Sequence, residues 1–161
     1  MVGTTEIFAA IELTIGLVAV FVASIAWNYR NDVGGAPVFI MLAAASGYAF
    51  ASGLNVFVSD PLLKHLIHNL SYPFTTTSVV AVIYLLVEFT HREKYQQNGV
   101  VAVILGSILL SLVVSVTDPI HNLIITEPLI TASGGFDRTA ANSGPLFWVH
   151  GVSHFGVGFV G

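Results

Sequence analysis

The sequence contains no cysteine and few charged residues. Without cysteine, disulfide bonds, thiol catalysis and cysteine metal sites are all excluded. Charged residues make up 9% of the chain, against about a quarter in an average soluble domain. The five Lys and Arg residues form no basic cluster, so no nucleic-acid partner is expected. A surface that faces mainly water cannot be built from so few ionic groups.

The sequence does contain long blocks of apolar residues, and 55% of its 161 residues are hydrophobic. A helix needs about 20 such residues to cross the hydrocarbon core of a bilayer. The blocks predict an all-α fold, a polytopic membrane helix bundle with about five transmembrane helices, surrounded by the lipid bilayer of the cell membrane. The predicted spans are residues 7–27, 38–58, 66–89, 99–117 and 145–161.

The predicted spans are joined by connections too short to hold a second domain. We therefore expect residues 1–161 to form one membrane module. The last block, 145–161, is the shortest and ends without a cap or an interfacial charge. This predicts that the chain is truncated inside a helix or just after one.

Lys and Arg residues indicate the orientation, because cytoplasmic loops carry more of them than external loops. Arg30, Arg92 and Lys94 fall on one side of the predicted bundle. Lys64 and Arg138 fall on the other side. This bias places the N-terminus outside.

Histidine is concentrated on one side of the predicted bundle. Five of the six histidines lie there, four of them in pairs at helical spacing that share a helix face. They are His65, His68, His121, His150 and His154. Interfacial imidazoles can mark helix ends, can sense acidity or a ligand, or can bind a metal ion such as Zn²⁺. We predict no metal site and no cofactor, and the alternative is an intramembrane metal or haem site built from these five residues.

Three other features interrupt the apolar blocks. Glu12 lies near the start of the first span, where a carboxylate either pairs with a ligand or a neighbouring helix, or reaches water beside the positive helix end. Glu88 precedes Arg92 by four residues, the order that favours a helical ion pair. Pro73 removes a helical hydrogen bond and predicts a kink. Pro73, Glu88 and Arg92 are therefore candidates either for signal relay or for a purely structural role.

Three short segments carry a resemblance to one known family. They are LLVEFTHRE at residues 85–93, TDPIHNL at 117–123 and FWVH at 147–150. Together they resemble the N-terminal seven-helix region of membrane histidine kinases. The first segment is similar to the "ALEYTGRE"-like end of that family's third helix. TDPIHNL at 117–123 resembles its "TNPLHHLF" segment after the fourth helix, and FWVH at 147–150 resembles the "WFWVH" opening of its fifth helix. The order and spacing agree, so the resemblance extends over about residues 42–161.

The resemblance implies site residues one position at a time. The family-pattern positions are occupied by Pro73, Glu88, Arg92, His121, Trp148 and His150. His154 stands where the family has an aromatic residue, and His91 stands where glycine is common. The candidate residues for sensing or ligand binding are His121, His150, Asp118, Trp148 and Glu12.

The resemblance also implies a function. The family senses an external signal, and its seventh helix leads to cytoplasmic kinase or PAS-like modules. We expect a signal-input module of a two-component histidine kinase that lacks the kinase itself, because the sequence has no phospho-acceptor pattern and no glycine-rich nucleotide-binding boxes. The expected partners are an unidentified extracellular or membrane signal and a kinase or PAS-type module in the full-length protein or in trans. Homodimer formation is left open.

Overall fold

The computed structural model describes residues 4–90, 98–127, 142–146 and 148. Within these residues the chain forms a bundle of helices and one short antiparallel strand pair. The helices are α1 (Thr4–Asn28), α2 (Gly35–Asn55), α3 (Pro61–Asn69), α4 (Ser71–Phe89) and α5 (Asn98–His121), and the strands are β1 (Ile125–Glu127) and β2 (Asn142–Ser143). The prediction of an all-α helical bundle is confirmed, since the two strands belong only to the loop that follows α5.

Three helical segments in the described part of the chain are long and apolar enough to cross a membrane. They are Thr4–Asn28, Gly35–Asn55 and Pro61–Phe89, the last of which combines α3 and α4. The helix α5 adds a shorter apolar stretch, Ile108–His121. Large apolar side chains such as Leu17 and Phe21 point outward from the bundle, which suits a surface in contact with lipid. Most of the fifth predicted span, 145–161, lies outside the described residues.

The helix α2 lies between α1 and α4, because small residues let its neighbours approach closely. Gly16 of α1 faces the ring of Phe50, and Gly47 of α2 faces the ring of Phe74 on α4. The helices α3 and α4 in turn contact α5. The helices therefore pack together by close backbone approach inside the bundle and by polar contacts near its ends.

The third predicted span is divided into two helices at Leu70. Pro73 has no backbone N–H, so the carbonyl of Asn69, four residues earlier, loses its helical partner. The interruption lies at Leu70, whose φ of −62° and ψ of −17° are still helical, and the kink predicted at Pro73 stays a prediction. The span also begins earlier than predicted, because Asp60 caps α3 by accepting a hydrogen bond from the N–H of Leu63 at 2.8 Å.

Candidate functional site

A group of buried polar residues joins α3 to α5 at the end of the bundle where α3 begins and α5 ends. We call the buried set His65, Asn69, Ser115 and Asp118, together with the exposed His121 beside it, the α3–α5 cluster. Asn69 and Asp118 are 0% exposed, Ser115 is 1% exposed and His65 is 8% exposed. Buried polar groups are rare in membrane helices and usually mark a functional position.

The carboxylate of Asp118 is the centre of the α3–α5 cluster. Its Oδ2 accepts hydrogen bonds from His65 Nε2 at 2.9 Å and from Asn69 Nδ2 at 3.1 Å. Its Oδ1 accepts a hydrogen bond from the backbone N–H of Ile124 at 2.6 Å. The amide of Asn69 and the N–H of Ile124 are donors, and His65 Nε2 is a third donor in the tautomer that carries its proton there, so an ionised Asp118 can accept from all three. The hydrogen bonds offset the loss of water around the buried charge.

Helical spacing places these residues on facing surfaces. His65 and Asn69 are four residues apart on α3, and Ser115 and Asp118 are three apart on α5, so each pair shares one face. Pro119 allows a second contact between the two helices, because it has no N–H to donate to the carbonyl of Ser115 four residues earlier. Asn69 Nδ2 donates to that carbonyl at 3.3 Å. The amide of α3 thus replaces a helical hydrogen bond that α5 cannot make for itself.

The loop after α5 is bonded to the side chain of Asp118, through Ile124, and also to its backbone carbonyl. Asn122 has a positive φ of 51°, which turns the chain away from the helix axis, and its N–H bonds to the carbonyl of Asp118 at 2.7 Å. Farther along, the N–H of Gly144 bonds to the carbonyl of Ile124 at 2.8 Å, and that of Leu146 bonds to the carbonyl of Leu123 at 3.0 Å. Asp118 therefore connects α3, α5 and the segment that leads into the fifth predicted span.

His121 contacts Asp118 in a different way from His65. Its Nδ1 lies 3.5 Å from Asp118 Oδ1, but it also accepts a hydrogen bond from the N–H of Leu123 at 3.2 Å. Its Nε2 lies 3.0 Å from the hydroxyl of Thr117. A ring nitrogen that accepts a hydrogen bond carries no proton, so Nδ1 of His121 does not donate to Asp118 in this arrangement. His65 is then the histidine of the cluster whose ring directly bridges two helices.

Two buried atoms of the α3–α5 cluster, Asn69 Oδ1 and Ser115 Oγ, have no hydrogen-bond partner within the described ranges. Native proteins satisfy most buried polar atoms. The cluster is therefore incompletely bonded in this arrangement, although its carboxylate is well coordinated.

The structure places two of the other predicted site residues, Glu12 and Glu88, apart from this cluster. Glu12 lies between α1 and α2, where its Oε1 accepts a hydrogen bond from the hydroxyl of Ser52 at 2.9 Å. Glu88 lies at the opposite end of the bundle, where its Oε2 accepts a hydrogen bond from the N–H of Gly34 at 2.6 Å. Pro73 is buried at the start of α4, and Trp148 is 64% exposed. The predicted residues Arg92, His150 and His154 lie outside the described residues.

The sequence predictions included His65, Asp118 and His121 but missed Asn69 and Ser115. The four-residue spacing of His65 and Asn69 was a signal that these two residues share a helix face. The proline after Asp118 was a signal that the carbonyl of Ser115 lacks a partner. Neither signal identifies the helix that supplies the missing contact.

The described residues alone do not form the alternative metal site. No three His, Asp or Glu side chains converge within the described ranges in a way that would hold a metal ion. His68 instead packs edge-on against Tyr72, with ring centroids 6.1 Å apart. A site that includes His150 or His154 lies outside the described residues, so that alternative stays untested.

Comparison with known proteins agrees with the sequence motifs. The family model of the N-terminal 7TM region of histidine kinase matches residues 12–161. No curated protein and no solved structure matches the chain. This family is a sensor region of histidine kinases and is not itself catalytic. The match includes every residue of the α3–α5 cluster, and the chain belongs to the family of N-terminal 7TM regions of histidine kinases.

Proposed function

We propose that the chain is the signal-input module of a two-component histidine kinase, spanning the cell membrane several times with its N-terminus outside. It has no catalytic activity of its own. It responds to an extracellular or membrane signal and passes the response to a kinase or PAS-type module in the cytoplasm. That module belongs either to the full-length protein or to a separate chain.

The observation that carries this proposal is the buried Asp118 carboxylate, which bonds to α3, to α5 and to the loop after α5. With the N-terminus outside, this end of the bundle faces the exterior. A ligand that changes the bonding of Asp118 therefore changes how α3 sits against α5. A sensor needs such a pair of arrangements, because a signal can only shift an equilibrium between states that it stabilises differently.

The helices supply a connection from this end to the other. The helices α3 and α4 are separated by Leu70 alone and together extend from Pro61 to Phe89. At the far end of α4, Glu88 bonds to the turn between α1 and α2. A displacement of α3 at His65 can thus reach the side of the bundle that we propose to be cytoplasmic. Pro73, Glu88 and Arg92 are the proposed relay positions.

The proposed sensing residues are Asp118 and His121, together with the residues that follow the attached loop, Trp148 and His150. Glu12 lies in a separate α1–α2 contact at the same end of the bundle, because it pairs with Ser52 near the end of α2. We propose it as a second position whose charge influences the sensing end.

The proposal is tested by the substitution Asp118→Asn in the full-length kinase, or in this chain together with its separate kinase. Autophosphorylation is measured in membrane vesicles. We expect Asp118→Asn to change the rate by about 5-fold or more, the lower end of the coupling usually found between linked sites. The matched control is Asp32→Asn, since Asp32 is exposed in the turn between α1 and α2.

Membrane amount and thermal unfolding of both variants are compared first, so that a loss of fold is recognised. The proposal fails if folded Asp118→Asn protein gives the same kinase rate as wild type under every signal condition tried. It also fails if Asp32→Asn changes the rate as much as Asp118→Asn does, because the effect would then not belong to the α3–α5 cluster.

A further inference from the structure

We infer that the α3–α5 cluster is a proton-binding site, in which His65 takes up one proton and thereby tightens the contact between α3 and α5. The inference rests on the proposed function only where it makes this proton the signal; the binding itself does not depend on a kinase. It assigns a ligand, the hydrated proton, to a site whose ligand is otherwise unspecified.

The geometry at Asp118 supports this inference. The carboxylate is fully buried and its Oδ2 lies 2.9 Å from His65 Nε2. With a neutral His65 the pair carries a net negative charge in a buried position, which is unfavourable. A proton added to Nδ1 of His65 converts the ring to imidazolium, keeps the Nε2–H bond to Asp118 and makes the pair electrically neutral. The attraction between the two helices then increases, because opposite charges interact strongly in a low-dielectric interior.

His65 fits this role better than the other described histidines. The ring of His121 bonds to Thr117 and Leu123, which lie in its own helix and in the loop next to it. The ring of His68 packs against Tyr72. Only His65, among the histidines that the structure describes, links α3 directly to a carboxylate of α5.

Because most of the α3–α5 cluster is buried, we expect its ligand to be very small. His65 is 8% exposed, whereas Asn69 and Asp118 have no exposed surface. A proton can reach the ring through this narrow exposure, and a bulky organic ligand cannot. Asn69 Oδ1 and Ser115 Oγ have no hydrogen-bond partner among the described residues. The charge on His65 therefore acts on a contact whose hydrogen bonding is incomplete.

Other ionisable groups surround the pair and must be separated from it experimentally. Tyr72 of α4 lies within electrostatic reach of Asp118, and Tyr48 of α2 lies within reach of Tyr72. On the elements packed against the pair, the ionisable groups in the described residues are Tyr48, Lys64, His68, Tyr72, Tyr84, Glu88 and His121, and Asp60 caps α3. Histidine is the side chain that ordinarily titrates between about pH 5 and 8, so the competing groups in that range are His68 and His121.

The test measures the distance between α3 and α5 as a function of pH. The chain has no cysteine, so Leu62→Cys and Ile120→Cys can each carry a spin label; both side chains are exposed, one near the start of α3 and one near the end of α5. Pulsed EPR in lipid nanodiscs gives the distance at about pH 5 and about pH 8. We expect the distance to be shorter at the lower pH by about 1–2 Å, the usual size of a helix shift.

His65→Gln is the decisive variant, because its amide nitrogen can still donate to Asp118 but does not titrate. We expect it to abolish the pH-dependent shift, while the control variant His68→Gln retains it, because the ring of His68 packs against Tyr72 and lies outside the cluster. The inference is overturned if the wild-type distance does not change with pH, or if His65→Gln keeps the full shift. If His65→Gln does not fold, histidine-selective NMR of the labelled wild-type chain replaces it. A histidine must then titrate over the same pH range in which the distance changes. If no histidine does so, the inference is overturned.

Kinase measurements distinguish this inference from the proposed function. A pH-dependent distance that disappears in His65→Gln supports proton binding even if kinase output ignores pH, and only the role of the proton as the signal is then rejected. A kinase that responds to Asp118→Asn while the distance is independent of pH supports the proposed function and overturns proton binding.

Discussion

Asn69 is the residue whose contribution to the bundle is least visible in the sequence. Its amide donates both to the carboxylate of Asp118 and to the carbonyl of Ser115, which Pro119 leaves without a helical partner. Ser115 is 46 positions away along the chain. Residue spacing predicts which side chains share one helix face, but it does not specify which face of another helix they meet. Asn69 was therefore missed, whereas Asp118 was predicted from the motif that contains it.

Asn69→Ala tests this contribution. The substitution removes one donor from a buried carboxylate and leaves the carbonyl of Ser115 unbonded, so we expect the free energy of unfolding to fall by about 2 kcal/mol. Loss of the unpartnered Oδ1 offsets part of the effect. SDS titration in mixed micelles, followed by circular dichroism, measures the change. The control is Asn28→Ala at the exposed end of α1, and equal stability of the two variants would contradict the role given to the amide.

The helices show which features of an element can be predicted from composition. The blocks of apolar residues predicted α1 and α2 to within a few positions, because a membrane span is specified by length and hydropathy. The ends of the other helices depend on single residues instead. Asp60 and Pro61 start α3 before the apolar block begins, and α5 continues past Thr117 to His121 with Pro119 inside it. Hydropathy does not show where a capping residue starts a helix. It also does not show where a neighbouring helix replaces the hydrogen bond that a proline removes.

A hydrogen bond joins the turn between α1 and α2 to the end of α4, and a substitution at Gly34 tests this joint. Gly34 has a φ of +83° and donates its N–H to Glu88 at 2.6 Å. An added methyl group would lie 2.9 Å from the ring of Phe89. Left-handed backbone is unfavourable for other residues, so we expect Gly34→Ala to lower the free energy of unfolding by about 1–2 kcal/mol.

Gly106→Ala is the matched control for that substitution. Gly106 lies inside α5, and nothing is found within 4 Å of an added methyl group there. Alanine favours helix over glycine by about 1 kcal/mol, so this variant should be as stable as wild type or more stable. Thermal unfolding in one detergent compares the two. If Gly34→Ala were as stable as Gly106→Ala, the turn would not need glycine and the joint with α4 would be weaker than its geometry indicates.

At the scale of the whole molecule, the family and the helical membrane bundle are established, while the orientation is still a prediction from five Lys and Arg residues. The structure adds one relevant contact at the end of α1. The guanidinium of Arg30 lies 4.5 Å from the ring of Trp27 and donates to its carbonyl at 3.0 Å. An aromatic and a cation at a helix end are typical of the membrane–water interface. They mark an interface without showing which side of the membrane it faces.

Two single cysteines in this cysteine-free chain determine the side. Asn31 and Ser59 are both exposed and lie at opposite ends of α2. We expect Ser59→Cys to react with a membrane-impermeant maleimide added to intact cells, and Asn31→Cys to react only after the membrane is opened. If both react from outside, α2 does not cross the bilayer. If the sides are reversed, Asp118 and His65 face the cytoplasm, and the cluster cannot receive an external proton or any other external signal.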